Sequence, residues 1–221
     1  MPEMLNSDHG GPLLLSVQQL SNPIELDRAG PKLAPIYRTL AEWIRTYLMR
    51  PHSELGRTGD VCPFTTQAFR LDTIRIGISP APTSDIASMR RSVRHCFRQF
   101  ALIPCPKHMQ HFRAIVLAFP ALEGTAGLEA LRRAQRGLNV ECLARGLMLA
   151  KFHPASEGGG LWSPTFQPFR SPVPLLVIRQ MVKEDAPFAL RHPLLLIAYV
   201  CKYTWAAPKR LLAGFNRGRS L

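Results

Sequence analysis

Apolar positions in this chain recur with two periods, and the change from one to the other lays out the fold. In "KLAPIYRTLAEWIRTYLMR", Leu33, Ile36, Tyr37, Leu40, Trp43, Ile44 and Tyr47 recur at intervals of three and four, which predicts a helix with one apolar face. Pro51 marks its end. "TIRIGIS" alternates apolar and basic residues and predicts a half-buried strand. After the breaker "PAPTS", Ser84 and Asp85 can cap a helix running to about Phe100, with its arginines on the wet face. "FRAIVLAFP" reads as a buried strand stopped by Pro120. "GLEALRRAQRGLNVECLARG" reads as one long helix that Gly146 can end. It leads straight into "LMLAKFHP", an extended segment closing at His153. "PVPLLVIRQM" is a further buried strand, and "HPLLLIAYVCKYTW" opens a helix with proline in its first turn.

The resulting order is helix, strand, helix, strand, helix, strand, loop, strand, helix. It predicts a single α/β (or α+β) domain with a four- to five-stranded sheet packed with helices. A chain of 221 residues suffices for one substantial core. Residues 1–31, rich in Pro, Gly, Asn and Ser, are expected as a flexible segment wrapping the surface. Residues 32–207 form the expected domain and 208–221 a basic tail.

Charge narrows the partners. Lys and Arg number 28 against 15 Asp and Glu, a net +13 that draws anions: nucleic acid, acidic lipid, a phosphorylated carrier or a carboxylate-bearing ligand. The cations are scattered, with no basic-aromatic stripe and no RNA-binding aromatic signature, so nucleic acid is not the expected partner. No apolar run approaches the ~20 residues that cross a bilayer. The start of the chain lacks a basic n-region and a cleavage site. The expectation is a cytoplasmic protein without a membrane partner, acting on a small molecule, with a homodimer as a compatible assembly. Five scattered cysteines make no disulfide framework and no C-x-x-C-H. "EGGGLW" is neither a P-loop nor a dinucleotide fingerprint. Asp85, Glu129, Glu141, Glu184 and Asp185 form no paired acid/base site, and Ser156 has no recognisable His-Asp partners.

Candidate chemistry gathers in "KFHPASEGGGLWSPTFQPFRSPVPLLVIRQM". His153, between Phe152 and Pro154, is held stiffly enough to serve as an axial ligand or acid/base, or simply as a hydrogen-bonded strand terminus. Arg170, between proline-stiffened segments, suits a carboxylate, a haem propionate or a phosphate; otherwise it is a solvated surface residue. Trp162 can line a flat ligand or cover the core. Cys62 in "DVCPF" can offer a thiolate or act as a small buried hydrophobe. "PCPKHMQH" spaces Cys105, His108 and His111 by threes, yet lacks the second pair that structural zinc requires.

The segments "PHSELGRTGDVCPF" and "FHPASEGGGLWSPTFQPFRSPVPLLVIRQMVKEDAPF" resemble a bacterial domain family of unknown function found near nonribosomal peptide and other natural-product genes, over roughly residues 35–205. More remotely they resemble the YqcI/YcgG family, which includes haem-dependent enzymes oxidising nitrogen in amino-acid-derived metabolites. Cys62 and Phe64, Phe119–Pro120, "LMLAKFHPAS", Arg170 and "PVPLLVI" follow that family's landmarks in order. The arginine after Ser156 is replaced by "EGGG", and the Asn-x-His after the last strand by "RQM". That resemblance implies a haem-binding oxidoreductase that N-oxygenates an amino-acid-derived amine. His153 (or Cys62) would ligate iron, Arg170 would meet a propionate, and Phe152, Trp162 and Ser156 would line the haem pocket. The alternative is a non-catalytic accessory or small-molecule-binding protein with His153 in a structural role; an anion- or nucleic-acid-binding module stands third.

Overall fold

The computed structural model describes residues 11–82, 85–160, 162–190 and 193–203. Strand β1 (Leu14–Ser16) is followed by helices α1 (Pro23–Arg28), α2 (Ala34–Trp43) and α3 (Thr65–Arg70), then strand β2 (Ile74–Ile78). Helix α4 (Ile86–Phe100) leads to β3 (Ala114–Ala118), and helices α5 (Gly124–Arg136) and α6 (Asn139–Ala144) lead to β4 (Leu147–Phe152). A loop returns to β5 (Leu175–Gln180), and the short α7 (Ala186–Ala189) precedes α8 (Pro193–Tyr203).

The five strands form one sheet in the order β1-β2-β3-β5-β4. Only β2 and β3 are parallel, joined through α4; the other neighbours run antiparallel. Side chains alternate between two apolar layers, as the period of two requires. Ile115, Leu117, Leu176, Ile178, Leu147 and Leu149 meet α4 and α5 through Met89, Val93, Phe97 and Leu131. Ile74, Ile76, Ile78, Val116, Ala118 and Leu175 meet α2 through Tyr37, Leu40 and Ile44. This is the expected mixed α/β domain, with the sheet covered on both faces.

Three local readings change. Residues 14–28 are not merely a surface wrap. Leu15 and Val17 are buried in the α2-side core, and β1 supplies the sheet's antiparallel edge. β2 is buried throughout rather than half-buried. Its Arg75 lies against the sheet with its guanidinium on the carbonyls of Asp72 and Ile74 and on the Asp72 carboxylate, and burial lowers its pKa. Satisfied donors are what let a cation stay inside.

The predicted long helix is two. At Gly137 the Arg90 side chain lies 2.2 Å from where a Cβ would sit, and its Nη2 donates to the Arg133 carbonyl at 2.9 Å. Glycine, the poorest helix former after proline, gives way there. Gly146, at φ +67°, then turns the chain from α6 into β4. Capping of α4 falls to Asp85, whose carboxylate accepts the Ser88 N–H at 2.7 Å; Ser84 lies outside the described residues. α2 continues into a π-helical turn, Ile44–Leu48, before Pro51.

Candidate functional site

β4 is an edge strand, and its far end carries the chain into His153. The turn that follows is fastened by two backbone bonds and one from an arginine side chain. The His153 N–H donates to the Phe169 carbonyl at 3.1 Å, the Ser156 N–H to the His153 carbonyl at 2.9 Å, and Arg170 Nε to the Ser156 carbonyl at 3.3 Å. The stiffness legible in the sequence therefore serves loop closure: residues 153–156 and 169–170 staple the two ends of a long loop.

The His153 side chain completes that turn. Its ring is 2% exposed, and Nδ1 accepts the Ala155 N–H at 3.1 Å. A nitrogen that accepts carries no proton, so in the neutral ring the proton sits on Nε2. Nε2 is buried and has no hydrogen-bond partner among the described residues. Burial, and secondarily the positive charge of Lys151, hold the pKa below the usual histidine value, which keeps the ring neutral. Axial ligation of iron through Nε2 requires the opposite arrangement, with a lone pair on Nε2 and the proton on Nδ1 donating to an acceptor. His153 does not fit a haem ligand.

Nor do the other expected residues converge on it. Phe152 packs edge-on against Trp43 (5.8 Å) and Phe169 (5.5 Å) in the α2-side core. Trp162 turns its ring to solvent at 67% exposure, while its carbonyl lies 2.5 Å from where a Cβ on Gly56 (φ +74°) would sit. Cys62 is fixed by its backbone, donating to the Leu48 carbonyl at 3.0 Å. His108 and His111 line a pocket of about 440 Å³ with Lys107, Lys183 and Lys202, and Cys105 is not part of its wall. Among the described residues no three His, Cys, Asp or Glu could hold a metal ion together.

A second cavity, about 640 Å³, runs along β4. Four consecutive strand residues, Met148 to Lys151, line it, as a groove following the free edge of a sheet requires. Gln135 of α5 donates to the Leu149 carbonyl at 2.7 Å and occupies one of the edge's open acceptors. Leu128, Leu143 and Leu195 give the groove apolar walls, and Phe169 with residues 155–158 closes one end. Of the six expected site residues, only Ser156 belongs to this wall.

Its charge is unbalanced. Arg132 and Lys151 both line the groove, and Lys151 has its pKa lowered by burial first and by Arg132 second. Their shared counter-charge is Glu129, which also binds Arg136 at 2.7 Å and reaches Arg132 only at 3.8 Å. Glu157 adds one carboxylate at the loop end. Arg179 is already neutralised by a two-pronged ion pair with Asp185, which also accepts the Val182 N–H at 2.8 Å. Cys142 lines the groove too, but burial pushes its thiol up to about 12, so it offers no thiolate near neutral pH.

The class defined here is a mixed α/β domain with an apolar, cation-lined groove along an edge strand. The chain belongs to the family described as a domain of unknown function, DUF6875, whose model matches residues 37–213. No curated protein and no solved structure matches it.

Proposed function

We propose that the protein binds a small anionic molecule with an apolar body, seating it along β4 with its acidic group between Arg132 and Lys151. The observation that carries this reading is the charge deficit: three cations share Glu129, and Lys151 is held partly desolvated beside a like charge. An anion placed there relieves the repulsion between Arg132 and Lys151. Leucine walls supply the apolar contact expected of a small-molecule site. The groove's thiol is protonated, and His153 stands outside its wall, so these residues support recognition rather than chemistry.

The test uses 1-anilinonaphthalene-8-sulfonate as a fluorescent probe, displaced by decanoate or by decanol. Decanoate should compete more strongly. Combining Lys151→Met with Arg132→Gln should weaken decanoate by about tenfold or more, since charge-assisted hydrogen bonds contribute roughly 1.5–3 kcal/mol each, while decanol is unaffected. Equal competition by the two compounds, or an unchanged decanoate affinity in the double variant, sinks the reading.

A further inference from the structure

Among the described residues, the polar bonds that hold helix α8 to the body come from one side of it. Leu195 faces the groove, Lys202 Nζ donates to the carbonyls of Gly146 (3.2 Å) and Met181 (2.7 Å), and the hydroxyls of Tyr199 and Tyr203 donate to Lys183 and Met181 carbonyls. The opposite side carries Leu194, Leu196, Ile197, Val200 and Cys201, all exposed. From Pro193 to Cys201 there is no charge. A helix apolar on every side is ordinarily buried on every side, yet α8 has no buried residue.

We infer that this face is the interface between two copies of the chain, α8 packing on α8 about a two-fold axis. Three features select a second copy. Leu194, Ile197 and Cys201 are spaced at three and four, the spacing that lets a helix mate with an identical stripe. The face is uncharged, so the contact itself sets no like charges directly against each other in molecules of net charge +13. Together with Leu190 at the end of α7, 36–74% exposed side chains present roughly 500 Å² of apolar surface, at the upper end of what a monomer leaves open. Two such faces bury roughly 1,000 Å², the lower bound for a specific assembly. The chain's own residues beyond Tyr203 are a poorer match, because they bring Pro208 and the cations Lys209, Arg210, Arg217 and Arg219.

Sedimentation velocity on the full chain, from about 1 to about 100 μM, tests this. The wild type should be dimeric over the upper part of that range. Ile197→Glu and Leu194→Glu should each be monomeric with an unchanged far-UV spectrum, and Trp162→Glu, altering another exposed apolar side chain, should stay dimeric. A wild type monomeric throughout overturns the inference. In that case co-sedimentation with phosphatidylserine vesicles would assign the face to a lipid surface, and protection of Cys201 from maleimide would assign it to residues 204–221. A dimer indifferent to both glutamates overturns it equally. Groove binding is read separately by the fluorescent probe, so either conclusion can fail alone.

Discussion

Replacing His153 in two ways separates a turn-forming imidazole from a ligand-bearing one. Asparagine can place its side-chain oxygen where Nδ1 now accepts the Ala155 N–H, with an amide NH2 in place of the ring that carries the buried Nε2–H. Alanine loses the acceptor as well. The lost hydrogen bond costs about 1 kcal/mol, and emptying the space of a ring that is 2% exposed adds about 1–2 kcal/mol. His153→Ala should therefore fall about 2–3 kcal/mol below wild type. His153→Asn keeps the acceptor but loses some ring contact and exchanges the Nε2–H for an amide NH2, so it should fall between wild type and alanine, about 1 kcal/mol below wild type. Urea unfolding reads both as shifts in midpoint at constant slope. There is a pH arm. Because the folded pKa is depressed, the unfolded chain binds the extra proton, and wild type should lose stability relative to His153→Asn as pH falls below about 6.5. If asparagine proves as damaging as alanine, or the pH difference is absent, the assigned tautomer and its role in the turn are wrong.

Other consequences are as direct. Asp185→Asn leaves Arg179 without its buried counter-charge and should cost about 3 kcal/mol, lowering the melting temperature by about 6–12 °C in calorimetry. Gly127→Ala, ordinarily favourable in a helix by about 1 kcal/mol, should destabilise here, because the new Cβ falls 2.7 Å from the Leu122 carbonyl carbon; thermal unfolding gives the sign. An anion bound beside Lys151 raises that group's depressed pKa, so binding should take up protons on the alkaline side, below the ordinary lysine range, and weaken as pH rises further. Titration calorimetry in two buffers of different ionisation enthalpy detects this, and Lys151→Met should abolish it.

Most of the architecture was legible because each central element announces its period locally. The "IRIGI", "AIVLA" and "LLVIRQ" strands and the α2 and α4 faces fall where the apolar spacing puts them. β1 was not legible, since three residues after "GGP" are too few to show alternation. The break falls at Gly137, where Arg90, reaching in from another helix, fills the space a Cβ would need. The site was harder for the same reason. The stiffness around His153 is written in consecutive residues, but its purpose as a staple needs Phe169 and Arg170 in place. Arg132 and Lys151 stand on separate elements with no motif to single them out, and only the packing of β4 under α5 makes them neighbours with one shared carboxylate.

The groove and the end of the sheet are one feature. Space is available beside Met148–Lys151 because, among the described residues, no sixth strand follows β4, and Gln135 keeps one acceptor there occupied. Any insertion that lengthened the sheet on this side would fill the cavity with backbone, trading a binding surface for a wider scaffold. A peptide designed to add itself to that margin would, by the same geometry, act as a plug, displacing Gln135 and shutting out whatever the groove holds.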